Sequence, residues 1–345
     1  MSAAGSSDDE PRASTTVGGM NMKLITGIFC VLFVCATATA GTKLGVEKTQ
    51  FTVNGKPVFL LGISYYGALG ARREYVLADL DDMQKHGFNW MRVWATWAGF
   101  ENDVSAVDVG GNPREGYLSK LKWLVEECDR KGIIVDVTLH RGDGRLEDTQ
   151  SLGQAAQSLL VTLKPCRNWY LDLANERNIR DARYVSFEEL VEVRRLAKKL
   201  DPTRLVTASH AGDMGKEELR RYLKEVEVDF IAPHRPREAK SPGETATRTR
   251  EYLEWMKDIG RVIPVHYQEP FRRGYQPDYW EPKAEDFLTD LKQARQGSAA
   301  GWCLHNGAQE DKREGKPRRS FDMREARLFD QLDEEENKFI KQMIR

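Results

Sequence analysis

The chain has 345 residues, with 52 Lys and Arg against 53 Asp and Glu, a formal net charge of −1 at pH 7. That balance excludes a broadly polybasic nucleic-acid binder, whose grip on phosphate backbones scales with the cations it can offer. Hydrophobic residues make up 40% and tryptophans number eight, which excludes a mainly disordered chain. Only one stretch is apolar enough to enter a bilayer, so a multi-span membrane protein is excluded as well.

That stretch runs from Leu24 to Cys35, follows Lys23 and leads into Ala36-Thr37-Ala38-Thr39-Ala40. A positive residue, a dozen mostly apolar residues and an A-x-A site describe a secretory signal rather than a membrane span. The expectation is a leader over 1–40, cleaved after Ala40, with initiation at Met20 or Met22 accounting for the polar residues before it. A lipid anchor on Cys35 is the alternative, weakened by the bulky Val34 before it. The remaining chain, 41–345, is expected as one exported domain, secreted or periplasmic, with no stable membrane insertion. It retains Cys128, Cys166 and Cys303, an odd number that fits buried free thiols better than a disulfide framework.

From there, apolar runs alternate with amphipathic segments. The run Val58–Ile63 predicts a first strand, and Tyr75–Met83 a helix with Val76, Leu80 and Met83 on one stripe, ended by Gly87. Trp90–Trp94 predicts the second strand. Leu118–Cys128 predicts a helix closed by Lys131-Gly132. Ile133–Leu139 and Trp169–Ala174 predict strands three and four, and Phe187–Leu200 a helix ended by Asp201-Pro202. Leu205–Ala208, Phe230–Pro233, Val262–Tyr267 and Gly301–Leu304 predict strands five to eight. A final helix is expected from Arg324 to Ile344. Continuous rather than alternating hydrophobicity marks strands covered on both faces, as in parallel sheets.

Eight such strands alternating with helices predict an α/β chain of a single (β/α)8 TIM barrel, a fold of about 250 residues. An open doubly wound sheet is the alternative. It lacks support, because no G-x-G-x-x-G or G-x-x-x-x-G-K-[ST] loop follows any strand. A barrel carries its chemistry where strands end. There stand Tyr65-Tyr66, Arg92-Val93-Trp94 with Trp97 beyond, His140-Arg141, Asn175-Glu176-Arg177, Ser209-His210, His234-Arg235-Pro236, Glu269-Pro270 and Trp302 to Asn306.

Glu176 and Glu269 are 93 residues apart, three βα units of 31. Both are therefore expected at the same mouth, from strands four and seven. Two facing carboxyl groups suit glycosidic cleavage: one is protonated to release the leaving oxygen, the other ionised to attack.

These segments resemble the clan A glycoside hydrolases, most nearly the cellulase-like and mannanase-like enzymes of glycoside hydrolase family 5. The resemblance runs from Phe51 to Trp302. It rests on Asn54-Gly55-Lys56-Pro57-Val58-Phe59-Leu60-Leu61-Gly62, on Gly87-Phe88-Asn89-Trp90-Met91-Arg92-Val93-Trp94, on Ala174-Asn175-Glu176 and on Tyr267-Gln268-Glu269-Pro270. It implies a retaining β-glycosidase of poly- or oligosaccharides, with Glu176 as acid/base and Glu269 as nucleophile. Asn175 would bind the hydroxyl beside the reacting carbon, Arg92 would hold Glu269 ionised, His140 and His234 would line the subsite, and Trp302 would form its floor. No cofactor is implied. Independently, an arginine inside the apolar run Trp90–Trp94 demands a buried anion, and one beside a carboxylate lowers its pKa. A structural ion pair is the other account of Arg92. Trp94, Trp97 and Trp302 are candidate sugar platforms, and Trp94 is equally a core residue.

The pattern departs from the family at strand six, where histidine, any residue, tyrosine is replaced by His234-Arg235-Pro236. The tyrosine expected to bond the nucleophile is absent, and Tyr267 is the candidate substitute. Arg141, Arg145, Arg177, Arg180, Arg235, Arg237, Arg272 and Arg273 crowd the expected mouth. Either they pair with neighbouring acids, or they receive an acidic glycan, since guanidinium binds carboxylate and sulfate in a fork. Two other functional readings stay open. His140, His210, His234, His266 and His305 lie near strand ends and would suit a metal-dependent hydrolase, although H-E-x-x-H is absent. A secreted sugar-binding barrel without turnover would keep the aromatic residues but need neither glutamate.

Overall fold

The computed structural model describes residues 41–99, 102–142, 144–275, 279–306 and 322–343. The proposed leader, with Cys30 and Cys35, lies outside them.

The described chain opens with a three-stranded antiparallel sheet, Leu44–Glu47, Gln50–Val53 and Lys56–Val58. The last two strands are joined through Asn54 at φ +52° and Gly55 at φ +77°. Two positive φ values in succession give the turn whose twist matches a hairpin, and Asn-Gly tolerates them best. The expected first strand is thus divided at Phe59. Its N-terminal part belongs to this sheet, and its remainder, Leu60–Ser64, is β1 of the barrel.

The other barrel strands are β2 (Trp90–Trp94), β3 (Ile134–Thr138), β4 (Trp169–Asp172), β5 (Val206–Thr207 and Ser209–Ala211), β6 (Ala232–His234), β7 (His266–Tyr267) and β8 (Gly301–Leu304). All pair in parallel. β8 joins β1 through Gly301↔Leu60, and β1 to β4 follow in sequence. β4 joins the first part of β5, and the second part of β5 joins β6. The ring closes through the bridge Ile231↔Val265 and the pairing His266↔Gly301. The (β/α)8 barrel expected from the alternation of strands and helices is the fold.

Outside lie α1 (Arg73–Lys85), α2 (Glu115–Arg130), α3 (Thr149–Thr162), α4 (Phe187–Leu200), α5 (Lys216–Arg221, running into a π-helical turn), α6 (Ser241–Ile259) and α7 (Ala284–Gln296). Their sequences fix their starts. Asp148 accepts from the Ser151 amide at 2.7 Å, and Ser186 exchanges hydrogen bonds with Glu189 at 2.8 and 3.1 Å.

The single terminal helix expected from Arg324 is two, α8 (Leu328–Gln331) and α9 (Glu334–Met343). Asp333 and Glu336 form a reciprocal cap at 2.9 Å each way, which starts a new helix where the apolar period alone would have continued the old one. Ile344 lies outside the described residues.

The lower barrel is filled by Leu60, Trp90, Ile134, Tyr170, Phe230 and Cys303, and Phe51 of the N-terminal sheet packs onto them. Its ring stands edge-on to Phe230 at 5.0 Å. The strands' N-terminal end is therefore sealed. Gly62 is required by close approach: a Cβ there would lie 2.0 Å from the Trp90 ring. Cys128, Cys166 and Cys303 are buried and unbridged. Among the described residues, no helix is long and apolar enough to cross a membrane.

Candidate active site

A cleft of about 900 Å³ opens at the C-terminal end of the barrel. Glu176 and Glu269 both face it, and a carboxylate oxygen of each lies within 4.8 Å of the other and of a His234 ring nitrogen. Glu176 follows β4 in a left-handed conformation, φ +48°, with its amide donating to Ser209 Oγ at 3.0 Å. A non-glycine residue held there is strained, and strain of this kind concentrates at functional sites.

Beneath the pair, Arg92 is fully buried at the centre of the barrel. Its Nη1 donates to Glu269 Oε1. Nη2 donates to Asp172 at 3.0 Å and to Asn175 Oδ1 at 3.1 Å, while Nε pairs with Asp136 at 3.1 Å. β2 and β3 are in register with Arg92 opposite Asp136. The buried anion demanded by the sequence is therefore threefold. Burial raises both Asp136 and Asp172 against the pull of Arg92. Tyr170 and Gln268 complete the network by donating to Asp136 at 3.0 and 2.7 Å.

Glu269 also accepts from the Tyr66 hydroxyl at 2.7 Å and from Arg237 Nη2 at 3.2 Å. His305 Nε2 lies 3.8 Å away. The same Arg237 nitrogen is 3.5 Å from Glu176 Oε1, and His234 Nδ1 stands 3.2 Å from that oxygen and 3.5 Å from Glu269 Oε2.

Burial acts to raise both glutamates, but the hydrogen bonds and charges around them prevail. Glu176 is held down at about 2 by His234, Arg237 and Arg183. Glu269 is held well below the carboxylate range by His234, His305 and Arg92. The site thus favours ionisation of both groups, rather than the opposite protonation states expected for a catalytic pair.

The sequence-predicted residues divide into two sets. Tyr66, Arg92, Trp97, His140, Asn175, Glu176, His234 and Glu269 gather at or directly beneath the cleft. Trp94 stacks on His140 at 4.7 Å and meets Tyr66 at 5.1 Å, giving one aromatic wall with Trp97. Tyr267 and Trp302 do not reach it. They are register partners on β7 and β8 with the same outward phase. Tyr267 bonds Thr249 of α6 at 2.6 Å, and Trp302 donates to Asp290 of α7 at 2.7 Å. Trp302 is only the second residue of its strand, so it is core rather than a subsite floor. The hydroxyl missing from strand six is supplied by Tyr66, not by Tyr267.

The arginines divide likewise. Arg141 is bound to Glu189 and Arg235 to Asp213, and Arg273 pairs with Asp333. Arg177 and Arg180 lie over the rings of Phe187 and Tyr184, and Arg145 pairs with Asp103 at 2.9 Å. Arg237 and Arg272 stand beside the glutamates. Arg183, 3.8 Å from Glu176, was not singled out by the sequence, nor were Tyr275 and Tyr279, exposed at the rim. The acids Asp136 and Asp172 had a signal: a lone charge in each apolar strand run, matching Arg92 in the next.

Of the five histidines, His266 packs among Phe51, Trp90 and Tyr170 inside the barrel, and His210 bonds toward Tyr222 and Glu218. Glu176, His234 and Glu269 are close enough to offer ligand atoms to an ion. Their oxygens, however, already face the guanidinium groups of Arg92 and Arg237, which disfavours a divalent cation at the same point.

The fold is that of solved glycoside hydrolases. The endo-1,4-β-mannanase from Rhizomucor miehei superposes with a TM-score of 0.58 at 15% identity, covering 76% of this chain and 89% of that one. A glycoside hydrolase family 5 mannosidase from the same organism, in complex with mannosyl-fructose, gives 0.54 at 17%, covering 77% and 85%. A family 5 glycoside hydrolase from Bacteroides vulgatus ATCC 8482 gives 0.61 at 15%, covering 84% and 68%. No protein-family profile and no curated protein sequence matches the chain.

Proposed function

We propose that the chain is a retaining glycoside hydrolase that cleaves β-glycosidic bonds of a poly- or oligosaccharide by double displacement. The observation that carries this reading is the facing of Glu176 and Glu269 across one barrel mouth, with oxygens within 4.8 Å. Carboxyl groups about 5–5.5 Å apart accompany retention, whereas inverting pairs stand about 6.5–9.5 Å apart to admit a water. The saccharide complex and mannanase of the same fold support a sugar substrate.

In the first step, Glu269 attacks the anomeric carbon and the bond to the leaving oxygen breaks, that oxygen taking a proton from Glu176. In the second, Glu176 takes a proton from water, whose oxygen displaces Glu269. Arg92 and Tyr66 keep Glu269 charged and aimed. Trp97 and the rim tyrosines offer faces for sugar rings. A leader over 1–40 would export the domain.

The test is the configuration of the newly formed reducing end, followed by proton NMR during hydrolysis of β-linked gluco- and manno-oligosaccharides. Initial release of the β-anomer is expected. Initial release of the α-anomer would refute the two-glutamate displacement.

A further inference from the structure

Arg237 occupies the space a substrate needs. Its Nη2 lies 3.2 Å from Glu269 Oε2 and 3.5 Å from Glu176 Oε1, between oxygens that themselves come within 4.8 Å. In the reading proposed above, the anomeric carbon must come within about 3–3.5 Å of the Glu269 oxygen and so enter that gap. Arg237 therefore has to withdraw before any glycoside reacts. The residue is placed to do so, since it stands on the loop after β6 and lines the open cleft. Its guanidinium also rests over the exposed Tyr275 ring, 4.4 Å from the centroid.

Withdrawal is costly unless another anion receives the guanidinium, because two carboxylates are surrendered in a site largely shielded from water. A neutral sugar offers hydroxyl groups in exchange; a charged one offers a full counter-ion. A second guanidinium stands on the same side. Arg272 lines the cleft and approaches the same Tyr275 ring at 5.4 Å. Burial, and then the like charge of Arg237, lower its pKa, so the two cations repel one another across this corner. An anion placed between them relieves that repulsion and engages two forks, the geometry guanidinium groups use for carboxylate and sulfate.

We propose that Arg237 and Arg272 form an anion subsite beside the catalytic pair, and that the substrate is a sugar bearing a carboxylate or sulfate group whose binding draws Arg237 off Glu176. The inference rests on the glycosidase reading and adds the substrate class to it. It also accounts for how Glu176 gains a proton among groups that favour its ionisation. With Arg237 withdrawn, Glu176 loses one of the cations that hold it ionised and can take up the proton it must donate. The groups still facing Glu176 are His234, Arg183, Arg272, His210 and Glu269.

The experiment compares kcat/KM for aryl β-glycosides that differ only at C6: hydroxymethyl, carboxylate and 6-sulfate, in the gluco and manno series. The wild-type chain, Arg237→Gln and Arg272→Gln are each assayed. At least a tenfold preference for one charged series is expected, and in each variant the ratio of charged to neutral kcat/KM should fall about tenfold, the scale of one charge-assisted contact. The favoured series identifies carboxylate or sulfate as the ligand. Equal or faster cleavage of the neutral glycosides, or variants that slow all three alike, would overturn the anion subsite while leaving the glycosidase intact. If no glycoside is cleaved, calorimetry with glucuronate, mannuronate, glucose 6-sulfate and glucose decides. Tighter binding of a charged sugar, weakened in Arg272→Gln, upholds the subsite; equal or absent binding refutes it.

Discussion

Tyr66 and Glu269 are 203 residues apart in sequence, yet the phenol donates to the carboxylate at 2.7 Å. The contact joins the end of β1 to the end of β7 and exists only because the barrel closes. Burial, followed by the charge of Glu269, pushes the phenol well above its ordinary pKa, so it stays protonated and acts as a donor. Tyr66→Phe removes one hydrogen bond to a charged group, about 1.5–3 kcal/mol. A fall in kcat of about tenfold or more is expected, together with a melting temperature lower by several degrees. Unchanged kcat would show that Tyr66 only packs.

Replacing either glutamate separates an enzyme from a sugar-binding barrel. Glu176→Gln and Glu269→Gln should each lower turnover by about 10²–10⁴-fold, and the double variant should be little worse than the poorer single one. A binding module would keep its affinity and show no turnover to lose.

The same glutamates shape acid stability. Both have folded pKa values below the ordinary carboxylate value, so their contribution is complete above it and disappears as pH falls through the folded value. For Glu176 that window runs from about 4.5 to about 2. Wild-type stability should decline there, and Glu176→Gln should decline less steeply across it. Denaturant titrations at stepped pH check this; parallel curves would contradict the assignment.

A further expectation concerns the pH–rate profile. Free-enzyme pKa values appear in kcat/KM and those of the complex in kcat. As the proposed acid, Glu176 would work only while protonated, and His234, Arg237 and Arg183 oppose that before substrate binds. The descending limb of kcat should therefore lie at higher pH than that of kcat/KM, and Arg237→Gln should narrow the gap. Coincident limbs would sink this account.

Gly62→Ala tests the packing below the site. The new Cβ would meet the Trp90 ring at 2.0 Å and its carbonyl oxygen at 2.4 Å, both within the β1–β2 pairing. Overpacking of this kind costs about 1–3 kcal/mol or more, seen as a lower denaturation midpoint with an unchanged m-value.

The barrel was legible because its strands are covered on both faces and read as unbroken apolar runs. The same continuity hides the pleat. Nothing in Gly301–Leu304 tells which side chains point inward, so Trp302 looked like a strand-end platform when its phase turns it toward Asp290. Tyr267 was misplaced for the same reason. Arg92 was legible because a charge within an apolar strand demands a partner. The mouth arginines were not sorted in advance, because their partners are remote in sequence: Arg141 is 48 residues from Glu189, Arg235 is 22 from Asp213 and Arg273 is 60 from Asp333. Only a closed fold shows which guanidinium groups are already spoken for.

Arg237 also bears on inhibitor choice. Basic iminosugars imitate the oxocarbenium ion by carrying a protonated nitrogen where its charge develops, and their affinity depends on meeting uncompensated carboxylates. Here a guanidinium already lies between those carboxylates, so a cationic mimic would have to expel a like charge to enter. Compounds that pair the ring nitrogen with an acidic substituent would be drawn by the displaced arginine instead of repelled by it. This architecture therefore favours zwitterions over simple amines.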